Sequence, residues 1–463
     1  MRIAMVGTGY VGLVSGVCFS EFGFDVACID QDDAKIAALK RGEVPIFEPG
    51  LEALLRRNAQ RLTFTTDLPQ AVADADVIFI AVGTPSRRGD GEADLSYVHA
   101  AARQVAAAMR PGALVVIKST VVVGTARAVR KTMEQEAPGL DFSIASNPEF
   151  LREGSAIEDF MRPDRVVAGV EDARGEEVLR RLYRPLNLRE TPLVLTGLED
   201  AELIKYAANA FLAMKITFIN EMADLCERIG GNVQEVAKAI GIDNRIGSKF
   251  LHPGPGFGGS CFPKDTRALA ATAARLGAPM SLVEATIQAN ERRMAGLADR
   301  VITAAGGSLA GRVVAVLGIA FKPNTDDVRE AASLALIPAL QAAGATVRAH
   351  DPQAMSAAAP LLPEVTWCGD AYEAAAGADI LVILTEWNEY RGLQLSRVAE
   401  AMRGQVIVDL RNVFRPDEVE GTGLRYVSIG RPPVEGKRVR LVEVRDGERG
   451  AAAGRSASSQ LAS

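Results

Sequence analysis

Residues 258–265 read Gly-Gly-Ser-Cys-Phe-Pro-Lys-Asp and set a thiol, Cys261, close before a cation, Lys264, and a carboxylate, Asp265. A nearby cation encourages the thiolate, which is the nucleophilic form of cysteine, so this stretch suggests covalent catalysis. An ordinary buried cysteine is the competing reading, but the Gly/Pro-rich surroundings favour a shaped loop. His252, just upstream, is explained by loop geometry as well as by a role as base.

Three further groups carry reactive side chains. In Asn147-Pro-Glu149-Phe-Leu-Arg-Glu153-Gly, a polar turn after an apolar strand, Glu149 could face a cleft as a base or sit as a helix-start carboxylate. Lys205 and Asn209 lie four apart and share one helix face, where they could hold an oxyanion and a water or simply meet solvent. Lys322, in Ala320-Phe-Lys-Pro-Asn-Thr-Asp-Asp-Val-Arg329, and the separate Arg245 can neutralise phosphate or bind sugar hydroxyls, or be plain surface cations.

A redox partner for this chemistry is suggested at the other end of the chain. Gly7-Thr-Gly9-Tyr-Val-Gly12 follows a β-like run at 2–6 and precedes a helical pattern reaching Phe22. Its glycines permit a tight turn, close backbone approach and tight helix packing, leaving amides to face a pyrophosphate. Asp30 ends the next strand, where a carboxylate accepts from both ribose hydroxyls and repels a 2′-phosphate, so NAD is expected rather than NADP. Thr84 and Pro85, and Ser119 and Thr120 after Lys118, end later strands at the same sheet edge.

The elements that must position these groups follow from periodicity. Apolar runs at 76–82 and 113–117, separated by helical segments such as 96–108, read as parallel strands buried on both faces. Residues 199–228 place apolar side chains three or four apart, from Leu203 and Ile204 to Met222 and Leu225, as in one long amphipathic helix whose apolar face needs a partner. A second α/β unit opens at 312–319, and its segment 378–385 echoes 75–82, although only the first unit has GxGxxG. The expected fold is α/β, with two Rossmann-like parallel-sheet domains joined by a long central helix and a helical middle domain. The expected divisions are 1–195, 196–303, 304–433 and a flexible tail at 434–463.

Composition narrows the function classes. A chain of 463 residues exceeds one hydrophobic core, and 48% hydrophobic residues suit well-packed α/β units. A net charge of −6 gives no general reason to bind nucleic acid. The five cysteines and three histidines lack paired metal-ligand spacing, so no metal site is expected. No signal-like segment or membrane-length apolar run is evident, so the expectation is the cytoplasm and no membrane partner.

Together the motifs resemble the UDP-glucose 6-dehydrogenase family, within the wider group of nucleotide-sugar dehydrogenases. The resemblance runs from Met1 to about Pro433 and rests on Gly-Thr-Gly-Tyr-Val-Gly, Val-Gly-Thr-Pro, Lys-Ser-Thr-Val, Asn-Pro-Glu-Phe-Leu-Arg-Glu-Gly, Gly-Phe-Gly-Gly-Ser-Cys-Phe-Pro-Lys-Asp and Gly-Ile-Ala-Phe-Lys-Pro-Asn-Thr-Asp-Asp-Val-Arg. It implies oxidation of the C6 alcohol of UDP-glucose to a carboxylate with two NAD molecules. Cys261 would form a thiohemiacetal and then a thioester. Asp265, Lys205 and Asn209 would position water and stabilise oxyanions, Glu149 would assist proton transfer or hydrolysis, and Thr120 would hold the water network. Gly7, Gly9, Tyr10, Val11, Gly12, Asp30, Lys35, Thr84, Thr120, Glu153, Lys264 and Arg329 would serve the cofactor. Substrate contacts would come from Phe150, Leu151, Arg152, Glu153, Lys205, Asn209, Phe250, Phe257, Gly258, Cys261, Phe321, Lys322 and Arg411. Arg245 would reach a neighbouring subunit's site in a homodimer or higher homo-oligomer, with the long helix as the dimer core.

One departure is Asp409-Leu410-Arg411-Asn412, where bacterial members often have glycine before the arginine; Leu410 adds steric constraint there. The alternatives to UDP-glucose are UDP-N-acetyl-mannosamine and GDP-mannose, and the non-enzyme alternative is a nucleotide-sugar binding or regulatory protein.

Overall fold

The computed structural model describes residues 1–85, 87 and 93–436. Short aliphatic runs form its strands. The first eight are β1 (Arg2–Val6), β2 (Asp25–Ile29), β3 (Leu62–Thr65), β4 (Val77–Ile80), β5 (Leu114–Ile117), β6 (Ser143–Ser146), β7 (Val166–Val170) and β8 (Leu193–Thr196). They build one sheet in the order β3-β2-β1-β4-β5-β6-β7-β8. Strands β4, β5 and β6 are buried throughout, as a sheet covered by helices on both faces requires.

Within this otherwise parallel sheet, one neighbouring pair is reversed. β6 and β7 pair antiparallel. A parallel connection would have to cross to the opposite end of the sheet, whereas this reversal lets residues 147–165 stay at the edge where β6 ends. The segment carrying Glu149 and Glu153 is thereby held beside the other strand ends.

The second sheet comprises β9 (Val313–Leu317), β10 (Thr346–His350), β11 (Thr366–Trp367), β12 (Ile380–Ile383), β13 (Val406–Asp409) and β14 (Arg425–Ser428), all parallel, in the order β11-β10-β9-β12-β13-β14. In each sheet the strand order reverses once, at β1/β4 and at β9/β12. Crevices at such switch points are where open α/β sheets take ligands.

Between the sheets runs helix Leu198–Ile229, 32 residues long and hence about 48 Å in length. Glu199 and Asp200 complement the dipole at its start, and Gly230, at φ 73°, ends it in the left-handed conformation. Helices Val233–Ile242, Phe262–Arg275, Ser281–Ala295 and Leu297–Ala304 complete the middle region. The molecule is thus α/β, with two Rossmann-like sheet domains joined by a long helix and a helical middle region.

The long helix buries polar groups among apolar ones and leaves a row of large apolar side chains outside. Its buried stripe includes Lys205, Asn209, Thr217 and Asn220, whereas Leu203, Phe211, Phe218 and Leu225 are exposed, Phe211 by 59%. At the far end of the described chain, Val434, where the tail was expected to open, forms an antiparallel bridge with Tyr426. The rest of that expected tail, from residue 437, lies outside the described residues. Among the described residues no helix is long and apolar enough to cross a membrane.

Candidate active site

Cys261 stands at the N-terminus of helix Phe262–Arg275, with Pro263 in the first turn, where a missing N–H leaves no helical bond unmade. The preceding glycines let the loop lie against residues 321–331. A Cβ on Gly258 would fall 2.1 Å from the Glu330 carbonyl oxygen, and one on Gly259 (φ 80°) 2.7 Å from the Phe321 ring. The Gly259 N–H donates to the Arg329 carbonyl at 2.9 Å. From behind, Asn290 bonds both the N–H and the C=O of Phe257, at 2.9 and 3.0 Å, while Asn220 and Arg293 hold the backbone of Gly254.

The electrostatics of the thiol differ from the sequence expectation. Lys264, its neighbour in the chain, binds Asp265 Oδ1 at 2.7 Å. Burial pushes the Cys261 thiol up, Glu149 and Asp265 push the same way, and the cation that chiefly opposes them is Lys205 from the long helix. The helix N-terminus adds a further pull toward thiolate.

Lys205 Nζ lies 3.1 Å from Glu149 Oε1, with both side chains at most 5% exposed. Burial works against the Lys205 charge, but Glu149, Cys261 and Asp265 outweigh it and hold the ammonium above its ordinary range. One turn along, Asn209 Nδ2 donates to Asp265 Oδ2 at 2.6 Å. The solvated-face reading of Lys205 and Asn209 therefore fails: an ammonium and an amide enter the interior because two buried carboxylates receive them. Glu149 Oε2 accepts the Leu151 N–H at 2.5 Å, in a turn well ahead of the helix Ala156–Met161. Its alternative as a helix-start carboxylate does not describe that geometry.

On the cofactor side, Gly7 (φ 102°) takes a conformation that suits glycine, and a Cβ there would stand 2.6 Å from the Ala81 carbonyl. A Cβ on Gly12 would fall 2.0 Å from the Gly7 oxygen. A Cβ on Gly9, by contrast, would meet nothing within 4 Å, and helix Tyr10–Glu21, which includes Tyr10 and Val11 in its first turn, has no side-chain cap. Free amides beside open space fit a pyrophosphate.

Asp30 accepts the N–H and hydroxyl of Thr8 at 2.9 and 2.7 Å, and Lys35 Nζ lies 3.2 Å away. Burial works against its charge, but the Thr8 and Asp32 hydrogen bonds and Lys35 hold the carboxyl below its ordinary range. Thr84 donates to the Thr120 carbonyl at 2.9 Å, fixing the two strand-end loops together. These residues fit a dinucleotide.

Glu153 joins the two sheet domains. It accepts from Ser260 at 3.3 Å, Thr325 at 3.1 Å and Arg329 at 3.3 Å. Burial, with Asp327 beside it, pushes its carboxyl up to about 7.

Residues expected on the substrate side divide in two. The Phe150 ring lies beneath Arg165 at 3.7 Å, with Lys205 Nζ 5.4 Å from its centroid. Phe250 (φ 65°) and Phe257 flank Phe262 at 6.0 and 6.2 Å, and Lys322 stands over Phe321 at 5.5 Å. Arg411 binds the Leu384 and Phe321 carbonyls at 3.0 and 2.8 Å. Leu410 is buried in the core of the second sheet, so the constraint expected from it is absorbed there. Leu151 packs on the core of the first sheet, and Arg152 turns outward to Asp159. Arg245, 89% exposed and paired with Asp243, joins no part of the cluster in its own chain.

Sequence reasoning missed a polar cluster beneath the site. Lys118, wholly buried, donates to the carbonyl and Oδ1 of Asn147 at 3.2 and 3.1 Å, while Tyr183 donates to the same Oδ1 at 2.5 Å. Burial brings the Lys118 ammonium down to about 8, with Glu149 opposing and Lys205 adding to the fall. The available signal was a lysine ending an all-aliphatic strand directly before Ser119 and Thr120.

Comparison with known proteins agrees with this geometry. Three family models match: the NAD binding domain of the UDP-glucose/GDP-mannose dehydrogenase family over residues 1–187, its central domain over 199–292 and its UDP binding domain over 315–416. The UDP-glucose 6-dehydrogenase of Rhizobium meliloti (strain 1021) is 58% identical over 436 residues, 93% of this chain and 100% of that protein. The TuaD UDP-glucose 6-dehydrogenase of Bacillus subtilis (strain 168) is 48% identical over 94% of each chain. Among solved structures, a UDP-glucose dehydrogenase from Pyrobaculum islandicum superposes with a TM-score of 0.85 at 41% identity, covering 94% of this chain and 98% of that one. A UDP-D-ManNAc dehydrogenase from Pyrococcus horikoshii gives 0.81 at 29%, covering 93% and 99%. With the dinucleotide turn, the cysteine loop and all three family domains in place, the chain belongs to the UDP-glucose/GDP-mannose dehydrogenase family and is an NAD-dependent oxidoreductase.

Proposed function

We propose that this protein oxidises UDP-glucose at C6 to UDP-glucuronate, a four-electron change made in two steps at one cysteine. The observation that carries the reading is the convergence on Cys261 of the charges of Glu149, Lys205 and Asp265, all from buried side chains. NAD supplies the acceptor for each of the two hydrides.

The protein's own groups divide the remaining work. Asn209, Asp265 and Thr120 position a water that takes the alcohol's proton, and Lys205 stabilises the alkoxide, which gives up its hydride to become the aldehyde. The Cys261 thiolate then adds to the aldehyde carbon, giving a thiohemiacetal whose oxyanion faces Lys205 and Asn209. Loss of the second hydride leaves a thioester. Glu149, already within reach of Lys205, serves as base for the water that hydrolyses it, and the thiolate departs. Phe150, Phe257, Gly258, Phe321, Lys322 and Arg411 surround the sugar nucleotide.

The exposed apolar row on the long helix, Leu203, Phe211, Phe218 and Leu225, supports a homodimer core there, and the exposure of Arg245 supports a role in a neighbouring subunit. We read the chain as a cofactor unit at 1–195, a middle unit at 196–303 and a nucleotide-sugar unit at 304–433. The deciding experiment is NADH release with product mass across UDP-glucose, UDP-N-acetyl-mannosamine and GDP-mannose. Two NADH and a uronate per UDP-glucose are expected. Absence of NADH with UDP-glucose, and turnover of another sugar, would overturn the substrate while keeping the chemistry.

A further inference from the structure

The cofactor turn and the segment carrying the sugar-contacting residues share one buried carboxylate that neither motif contains. Glu48 lies in Pro45-Ile-Phe-Glu48-Pro-Gly50, a loop between two helices of the first domain, and is 6% exposed. Its Oε2 accepts the Tyr10 hydroxyl and, at 2.7 Å, the Gly154 N–H; its Oε1 accepts the Ala156 N–H at 2.8 Å. The Gly154 N–H also reaches the Tyr10 hydroxyl at 3.0 Å. All these partners are neutral groups, so the carboxylate ties the Tyr10 side chain to the backbone of residues 154–156 instead of neutralising a cation.

The segment so held has little freedom on its other side. Gly154 adopts φ 77°, and a Cβ there would fall 2.2 Å from the Asn324 carbonyl oxygen of the second domain. One residue earlier, Glu153 bonds Ser260, Thr325 and Arg329. Residues 150–154 are therefore clamped between Glu48 with Tyr10 on one face and the second domain on the other.

We propose that Glu48 is a positioning residue that couples the two ligand sites, transmitting the state of the dinucleotide turn at Tyr10 to the segment 150–154, whose Phe150 lies against the sugar nucleotide in the substrate reading. The inference rests on the substrate reading given above. Ordering Tyr10 by a bound dinucleotide fixes Glu48, and Glu48 fixes the N–H groups of Gly154 and Ala156. The sugar nucleotide then meets a segment already in place. Such coupling is reciprocal: each ligand tightens the other by the same factor.

The test is calorimetric titration of the full chain with UDP-glucose, alone and with saturating NADH, a pair that cannot turn over. NADH is expected to tighten UDP-glucose binding about fivefold or more in the unaltered protein, and Glu48→Gln is expected to bring that factor to about one. Tyr10→Phe, which cuts the same link at its other end and decides the matter if Glu48→Gln does not fold, is expected to do likewise. A merely structural loss would weaken both affinities and leave their ratio intact. A factor of one in the unaltered protein, or a variant that keeps the unaltered factor, overturns the coupling. Failure of the unaltered protein to bind UDP-glucose at all sinks the substrate reading instead, and the comparison is then made with whichever sugar nucleotide of the panel binds.

Discussion

The two sheets open with the same turn and put it to opposite uses. After β1, the Gly7 N–H bonds the Ile29 carbonyl at 2.7 Å; after β9, the Gly318 N–H bonds the His350 carbonyl at 2.9 Å. Each glycine has a strongly positive φ, and each turn faces an aspartate just past the neighbouring strand, Asp30 or Asp351. In the first domain a helix begins at Tyr10, so its free amides stay at the turn, and the Asp30 side chain keeps 16% exposure. In the second, residues 320–331 intervene before helix Ala332–Ala342. Asp351 is there sealed completely, accepting N–H groups from Ile319, Ala320, Gln353 and Ala354 and the Trp387 indole. The inserted loop sends Phe321, Lys322 and Arg329 toward the cysteine. One scaffold thus leaves its aspartate partly exposed beside helix amides that fit a dinucleotide, and in its second copy commits the aspartate to internal order and builds a side-chain platform.

The comparison can be broken at several points. The largest effect is expected where the two domains meet: Cys261→Ser should lower uronate formation by about 10³-fold or more, with NAD and sugar-nucleotide binding largely intact. Uronate formation at the unaltered rate would refute the covalent role.

Next come the two aspartates. Asp351→Ala strands several buried donors and should cost about 3 kcal/mol in urea unfolding while NAD affinity stays unchanged. Asp30→Ala should weaken NAD binding about tenfold and, because the only buried donors it strands are the two of Thr8, lose less stability than Asp351→Ala. If both variants lose stability alike, the contrast between an open and a sealed carboxylate is wrong.

The last effect concerns the seating of the long helix on the first domain. Glu202 accepts the N–H groups of Gly124 and Ala126 at 2.6 and 2.7 Å, and burial pushes its carboxyl from 4.5 to about 7. Between those values the native protein keeps a proton that the unfolded chain has released. Stability from this group is therefore full below 4.5 and is lost as pH rises through about 7. Glu202→Gln should flatten that part of the profile, measured as unfolding midpoints at pH 5 and 7; an unchanged slope would remove Glu202 as its source.

The strand–turn–helix at the start was legible because its signals are local: an aliphatic run, glycines at fixed offsets and an aspartate at the next strand end. The long helix was equally legible in extent, but its orientation was not. Period 3.6 identifies a stripe without saying which stripe is buried. The apolar row from Leu203 to Leu225 faces outward, and Lys205 with Asn209 faces in, because Glu149 and Asp265 wait there. Lys264 misled for a related reason: adjacency along the chain suggested a cation for the thiol, whereas helical geometry turned it toward Asp265.

By itself, then, the sequence determined the elements, the dinucleotide turn and the identity of the reactive side chains, since each depends on residue type and short-range spacing. Only the tertiary structure decided which carboxylate meets which lysine, that β7 reverses to keep Glu149 at the sheet edge, and that Glu48 and Lys118 stand behind the site. Those are contacts between residues tens to more than a hundred positions apart, where burial in a shared interior, and not proximity along the chain, selects the partner.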